Sequence, residues 1–192
     1  MVEIYHKPII VTGIGRTGTS AVARVLHEKM GVNMGDVFKP DDWRCPDGHY
    51  EETTINQVNR MFTDGDISVL SLLQTYTIYS KKMVKRKKLW GFKDPRISVG
   101  AILGALIQFY MVEVGAFLIR CNRNKELTAK SIVRCFERTP EDAGRRYDLI
   151  TKTMDMLLNG VDHLVIDMSE RLSDKEIEDR IKPKAIEAGY PF

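Results

Sequence analysis

The chain has 192 residues, the size of one ordinary domain built around a single hydrophobic core. Hydrophobic residues make up 43% of it and charged residues 29%, a balance that excludes a disordered or low-complexity protein. Its 29 Lys and Arg residues exceed its 26 Asp and Glu residues by three, too small an excess for a dedicated nucleic-acid-binding protein. We expect one soluble domain, residues 1–192, that does not bind nucleic acid.

The cysteines and the apolar stretches indicate the compartment. Cys45, Cys121 and Cys135 form no CxxC pair, so the sequence favours neither a disulfide framework nor a zinc site. Residues 101–119 are the longest apolar stretch, but glycines and polar residues interrupt it, which favours a helix followed by a strand over a membrane span. The N-terminal residues lack the apolar core of a signal peptide. We therefore expect a cytoplasmic protein with no membrane segment and no metal site.

Strand and helix patterns alternate along the chain. Short apolar or β-branched runs predict strands at residues 8–12, 89–93, 116–120 and 164–167. Amphipathic runs predict helices at residues 19–30, 52–62, 67–87, 97–111, 125–137, 141–158 and 174–181, the last ending before Pro183. This alternation predicts a three-layer α/β fold, and the glycine-rich loop after the first strand makes it P-loop-like. Its sheet is expected to be open and mainly parallel, with four to five strands and helices on both faces.

Two further segments carry expectations of their own. The loop at residues 31–48 is irregular and rich in Asp, Pro and Gly, so we expect it to cover a binding site. In the helix at residues 67–87, the positions expected to face inward are Leu70, Leu73, Tyr76, Thr77 and Tyr79. Residues 81–96 hold eight Lys or Arg and one acidic residue, and we expect this basic segment to lie beside a nucleotide pocket and attract its ligand.

A glycine-rich loop, GIGRTGTS at residues 13–20, follows the first predicted strand. A loop between a parallel strand and a helix presents backbone N–H groups and the positive end of the helix dipole to an anion. Its glycines match the GxGxxG of dinucleotide-binding loops, but no strand ending in an acidic residue follows about 20 residues later. The spacing also matches a Walker A loop, except that Thr19 replaces the lysine. Since the cation is instead Arg16, the loop is poorly suited to γ-phosphoryl transfer.

This loop with its arginine resembles the 5′-phosphosulfate loop of the sulfotransferase family, in the form found in bacterial-type and tyrosylprotein members. The segment NRNKELTAKS at residues 122–131 is similar to the family's 3′-phosphate motif, an Arg at a strand end with a Ser eight residues later. The resemblance implies that 3′-phosphoadenosine 5′-phosphosulfate (PAPS) is the sulfuryl donor. The residues implied to bind it are Gly15, Arg16, Thr17, Gly18, Thr19, Ser20, Arg123 and Ser131.

Two more segments resemble the same family. WGFKDPR at residues 90–96 is similar to its Lys-Asp-Pro segment, and GHYEE at residues 48–52 to the loop that carries an acidic residue into the acceptor site. The resemblance implies metal-free transfer of a sulfuryl group to a hydroxyl or amine of a small molecule, saccharide or peptide. The candidate catalytic cations are Arg16 and Lys93. Glu51 is the preferred general base and Asp36 the second choice, ahead of Glu52 and His49.

Two alternatives remain open. One is a P-loop nucleotide or small-molecule kinase in which Arg16 replaces the Walker lysine, and dependence on Mg²⁺ would distinguish it. The other is a non-catalytic nucleotide-binding module, which would bind the bisphosphate without turnover. Asp94 and Pro95 also match the start of a helix, with Asp94 as the cap and Pro95 in the first turn. Arg145 and Arg146 either reach the 3′-phosphate or face water.

Overall fold

The computed structural model of the protein describes residues 6–38, 40, 42–43, 48–98 and 100–192. Within them, four strands form one all-parallel sheet in the order β2-β1-β3-β4. The strands are β1 (Ile9–Gly13), β2 (Gly91–Lys93), β3 (Phe117–Asn122) and β4 (Leu164–Asp167). The predicted open parallel α/β sheet is therefore confirmed. Because the strands are parallel, the loops that follow β1, β2 and β3 emerge at the same edge of the sheet.

Seven α-helices lie within the described residues. They are α1 (Thr19–Glu28), α2 (Thr53–Thr63), α3 (Val69–Val84), α4 (Gly100–Leu106), α5 (Lys125–Phe136), α6 (Pro140–Leu157) and α7 (Asp174–Glu187). A 3₁₀ turn, Pro95–Ser98, precedes α4, and a π-helical segment, Ile107–Val114, follows it. The single helix predicted at residues 97–111 is thus divided into three pieces. The π segment ends at Gly115, whose φ of 76° is readily adopted by glycine.

The sheet separates two apolar cores, as a three-layer fold requires. Alternate residues of β1 point to opposite faces, so Ile9 packs in one core and Ile10 in the other. The first core is formed with α1 and α7, including Leu26 and Ile181. The second is formed with α2, α3, α4 and the π segment and contains Phe92. Helices therefore cover both faces of the sheet.

The inward face of α3 differs from the prediction. Its buried residues are Leu72, Tyr76, Tyr79 and Met83, whereas Leu70 is 66% exposed, so the prediction for Leu70 was wrong. Tyr76 fixes the rotation of the helix, because its hydroxyl donates to Asn59 Oδ1 at 2.9 Å and its ring packs against Phe92. Burial of this tyrosine therefore decides which of several apolar positions on α3 face the core.

The last helix also runs further than predicted. α7 continues through Pro183 to Glu187, although proline removes one helical hydrogen bond. Its buried residues Ile177, Ile181 and Ala185 lie on both sides of the proline and pack in the core that α7 forms with α1. Packing of this continuous apolar stripe outweighs the local cost of the proline.

Candidate active site

The glycine-rich loop connects β1 to α1 at the carboxyl edge of the sheet. At Gly13 a Cβ atom would lie 2.6 Å from the carbonyl oxygen of Cys121, so this position has no room for a side chain. Gly18 adopts a φ of 87°, and a Cβ there would lie 2.8 Å from the side chain of Met168. Thr17 folds back into the loop, where its hydroxyl donates to the carbonyl of Ile14 at 2.7 Å. Glycine and threonine thus give the loop its tight shape ahead of the first turn of α1.

Arg16 joins the two segments that resemble phosphate motifs. Its φ of 80° is unusual for a residue other than glycine. Its Nε donates to Ser131 Oγ at 3.0 Å, although 115 residues separate the two in sequence. Arg123 Nη1 in turn donates to the carbonyl of Arg16 at 3.3 Å. The structure therefore brings Arg16, Arg123 and Ser131 together.

The backbone of Arg123 is fixed by a hydrogen bond, and one N–H group of its side chain remains available to a ligand. The hydroxyl of Tyr147, on α6, donates to the Arg123 carbonyl at 2.9 Å and fixes the turn after β3. The Arg123 Nε is buried and has no acceptor within the described part of the chain. A buried donor without an acceptor is costly, and an oxygen of a bound anion would satisfy it. This is the feature expected of a phosphate-binding arginine.

Lys93 ends β2 and lies beside the glycine-rich loop. It pairs in register with Val11 of β1, and its side chain is 1% exposed. Its Nζ donates to Ser20 Oγ at 3.0 Å, to the carbonyl of His49 at 2.9 Å and to Glu51 Oε1 at 3.0 Å. These three acceptors match the three hydrogens of an ammonium group. The strand thus holds a buried cation against the start of α1.

Glu51 is the carboxylate of this cluster. It is 5% exposed, and its second oxygen, Oε2, accepts from Asn56 Nδ2 at 2.5 Å. The neighbouring Glu52 has a different task, since its Oε2 accepts from the backbone N–H of Ile55 and caps α2. Glu51 and Lys93 therefore form a buried ion pair at the wall of the site.

Asp94 shapes the next stretch of wall. It is fully buried, and its Oδ1 accepts from the backbone N–H of Arg96 at 2.8 Å, which starts the 3₁₀ turn. Asn59 Nδ2 donates to its Oδ2 at 3.3 Å. Burial raises the pKa of the Asp94 carboxyl to about 6, because the apolar surroundings disfavour the charged form. Asp94 thus begins the turn that presents Arg96 and Ser98 to the cleft.

These elements enclose a cleft of about 580 Å³, within the range of small-molecule sites. Among the described residues that line it, six are basic: Arg16, Lys93, Arg96, Arg123, Arg138 and Arg146. The one acidic residue among them is Glu51. Such an excess of positive charge on a concave surface favours a multiply charged anion.

Most of the sequence-predicted residues meet in this cleft. Those that line it are Gly15, Arg16, Gly18, Thr19, Ser20, Glu51, Lys93 and Arg123. Ser131 accepts a hydrogen bond from Arg16 at the wall of the cleft, and the side chain of Thr17 points into the glycine-rich loop. His49 lines the cleft as well, and its ring lies 3.2 Å from Asp42.

Asp36 is not brought to the cleft. It pairs with Arg86 and with Lys82, the latter at 3.0 Å, near the C-terminal end of α3. The Arg86 guanidinium holds the pKa of the Asp36 carboxyl well below its usual range. Residues 81–88 precede β2 and so lie toward the opposite edge of the sheet, and none of them lines the cleft. The expected place for that basic segment was therefore wrong for all but Lys93 and Arg96.

Several residues of the cleft had no role in the sequence-based prediction. They are Ser98, Ile132, Phe136, Arg138 and Ile150. Of the two adjacent arginines on α6, Arg146 lines the cleft, whereas Arg145 pairs with Asp142 on the helix surface. Because Ile132 directly follows Ser131 in α5, the sequence could have indicated that it lines the cleft. Arg138 lies in the short connection between α5 and α6, where no sequence pattern indicates its position.

The remaining sequence-based expectations concern the covering loop, the cysteines, membrane segments and metal sites. Cys45 and residues 39, 41, 44, 46 and 47 of the predicted covering loop lie outside the described residues. Cys121 and Cys135 are buried free thiols. In the described part of the chain, no helix is long and apolar enough to cross a membrane. There is also no group of three His, Cys, Asp or Glu residues there that could hold a metal ion.

No protein-family model and no curated protein matches the sequence. The structure is similar to a sulfotransferase domain from the curacin biosynthetic pathway, with a TM-score of 0.58 and 12% identity over 97% of this chain and 75% of that one. It is also similar to shikimate kinase from Bacteroides thetaiotaomicron, with a TM-score of 0.50 and 8% identity over 96% and 99% of the two chains. Sulfotransferase STF1 from Mycobacterium tuberculosis has a TM-score of 0.49 and 16% identity, over 95% and 66%.

The chain has the P-loop fold that sulfotransferases and kinases share. This confirms the expected fold class. At these identities the likeness shows the fold alone, and both transferase reactions are compatible with it. The choice between them depends on the side chains of the cleft.

Proposed function

We propose that the protein transfers a sulfuryl group from PAPS to a hydroxyl or amine of an acceptor. The observation that carries the proposal is the contact between Arg16 and Ser131, which unites the two segments that resemble donor-binding motifs. The buried, unsatisfied Nε of Arg123 supports it, since a 3′-phosphate oxygen would accept from that N–H. The residues present therefore fit a donor with phosphate groups at both the 5′ and 3′ positions.

The Lys93–Glu51 pair suits the chemistry of the transfer. When bound, PAPS supplies a sulfuryl group whose leaving group is the 5′-phosphate. As the acceptor oxygen bonds to sulfur, the bond from sulfur to the phosphate oxygen breaks, and the bisphosphate keeps that electron pair. Arg16 and Lys93 would stabilise the growing negative charge on the phosphate. Glu51 would take the proton that the acceptor hydroxyl loses.

A kinase is the second candidate, and the Walker-like spacing and the shikimate kinase fold favour it. The contact of Lys93 with Ser20 speaks for sulfuryl transfer instead. In Walker A loops the Ser or Thr at this position binds Mg²⁺. Here the Ser20 hydroxyl lies 3.0 Å from a buried ammonium group, and a neighbouring positive charge disfavours a divalent cation.

The activity test uses chelator-treated protein with PAPS and a panel of phenols, amines, saccharides and tyrosine peptides. We expect release of adenosine 3′,5′-bisphosphate with at least one acceptor class in the presence of EDTA. A parallel reaction contains ATP and Mg²⁺ in place of PAPS. Phosphorylated product there, with no sulfated product in the first reaction, would contradict the proposal in favour of a kinase. Bisphosphate binding without product from any acceptor would indicate the binding module.

A further inference from the structure

Part of the cleft is lined by residues outside the segments that resemble donor motifs. It lies between the second half of α5 and the middle of α6, and we call it the distal subsite. Its residues are Ile132, Phe136, Arg138, Arg146 and Ile150. The glycine-rich loop, Arg123 and Ser131 account for the two phosphate groups of the proposed donor, and the distal subsite adds two arginines that belong to neither motif.

The two arginines of the distal subsite have no acidic partner in the described structure, unlike others nearby. Arg96 donates to Asp94, and Arg145 pairs with Asp142. Arg138 and Arg146, by contrast, are exposed and take part in none of the ion pairs formed among described residues. Their charges are therefore available to a bound anion.

The backbone that carries Arg138 is well fixed. The connection from α5 to α6 comprises residues 137–139 only. Glu137 adopts a left-handed conformation with a φ of 52°, and its N–H donates to the carbonyl of Val133. At the other end Thr139 Oγ1 accepts from the backbone N–H of Asp142 at 3.2 Å, and Pro140 begins α6. The caps of α5 and α6 thus restrict the backbone position of Arg138.

Apolar side chains lie beside these arginines. Ile132 is 4% exposed, Ile150 is half-buried, and both pack with Ile14 of the glycine-rich loop. Phe136 is 49% exposed although it lines the cleft, so a large part of its surface is open to a ligand. A surface that combines unpaired guanidinium groups with exposed aromatic and aliphatic carbon suits a molecule with an anionic group and an apolar body.

We propose that the distal subsite binds the acceptor, and that the acceptor is an amphipathic molecule with an anionic group, such as a carboxylate, that Arg138 and Arg146 recognise. This inference rests on the proposed function, because it takes the rest of the cleft to be the donor site. The anionic group anchors the acceptor at the arginines, and its apolar body lies along Phe136 and Ile132. The acceptor hydroxyl then points toward Lys93 and Glu51.

The test is a calorimetric titration with 6-hydroxy-2-naphthoate and with 6-hydroxy-2-naphthamide, which differ in charge and share shape and hydroxyl. Both are titrated into wild-type protein, with and without saturating adenosine 3′,5′-bisphosphate. The same titrations are made with the R138Q/R146Q variant. The matched control is R145Q, which removes the neighbouring arginine on α6 that pairs with Asp142 outside the cleft.

We expect wild-type protein to bind the naphthoate at least about tenfold more tightly than the amide, a typical gain for charge-assisted hydrogen bonds. R138Q/R146Q should lose this preference and keep its affinity for the bisphosphate, and R145Q should behave as wild type. Equal affinity for both compounds, or no naphthoate binding at millimolar concentration, would overturn the inference. So would a loss of bisphosphate affinity in R138Q/R146Q, because that would assign the arginines to the donor. Failure of the proposed function is seen separately, as wild-type protein that does not bind the bisphosphate.

Discussion

Replacement of Asp94 by Asn tests how the wall of the cleft is held. Asp94 is fully buried, and its carboxyl accepts from Arg96 and Asn59. Burial raises its pKa from 3.8 to about 6, with Arg96 partly opposing the shift. Between these two values the folded protein keeps a proton on Asp94 that the unfolded chain has released. Raising the pH through this window therefore lowers the stability of the wild-type protein.

The magnitude follows from the two pKa values. A difference from 3.8 to about 6 corresponds to about 3 kcal/mol in the free energy of unfolding. The D94N variant has no such titration. Its stability relative to wild type should therefore increase by about 2 kcal/mol between pH 4 and pH 7, most of the full difference, whatever offset the lost Arg96 contact adds at every pH.

Urea denaturation followed by tryptophan fluorescence, at intervals of one pH unit, measures this difference. D66N serves as the control, because Asp66 is exposed and its replacement tests the same chemical change at the surface. A D94N stability difference that stays flat with pH, or that decreases as pH rises, would refute the raised pKa of the buried Asp94 carboxyl.

Three further predictions concern the loop and the donor site. R123A should weaken binding of adenosine 3′,5′-bisphosphate by about tenfold to a hundredfold in calorimetry, since a hydrogen bond to a charged group contributes about 1.5–3 kcal/mol; an unchanged Kd would show that Arg123 does not touch the nucleotide. E51Q should lower kcat for sulfuryl transfer by about 10²–10⁴-fold while bisphosphate affinity stays near wild type, and retained kcat would remove Glu51 as the base. G13A should lower the thermal midpoint of unfolding, because its Cβ would lie 2.6 Å from the carbonyl oxygen of Cys121. The control is G160A, since Gly160 also has a positive φ but open space around it. Equal decreases in the two midpoints would contradict the steric reason.

The position of the glycine-rich loop between β1 and α1 could be predicted because it depends on the local order of residues in the chain. A short β-branched run, three glycines and a following helix are enough to indicate a loop that binds an anion. Both segments follow predicted parallel strands, whose carboxyl ends lie at one edge of the sheet, and the structure adds the contact between Arg16 and Ser131 at that edge. For the same reason, Lys93 at the end of β2 lies beside Ser20.

Features set by tertiary packing could not be predicted in this way. Leu70, Leu72 and Leu73 are all apolar, so periodicity alone does not show which of them faces the core; Tyr76 decides it through its contacts with Asn59 and Phe92. Asp36 stands in a loop whose path depends on its pairing with Arg86.

Arg138 could not be found either, because it belongs to a three-residue connection whose position depends on how α5 and α6 pack. Local patterns therefore predicted which residues lie at the strand ends and missed the wall of the cleft that α5 and α6 add.

The measurement that tests the central claim most directly is calorimetric titration of metal-free wild-type protein with adenosine 3′,5′-bisphosphate and with adenosine 5′-monophosphate. If Arg123 and Ser131 bind a 3′-phosphate, the bisphosphate should bind without Mg²⁺ and at least about tenfold more tightly than the monophosphate. Equal affinity for the two nucleotides, or binding of ATP with Mg²⁺ alone, would contradict a sulfuryl-donor site.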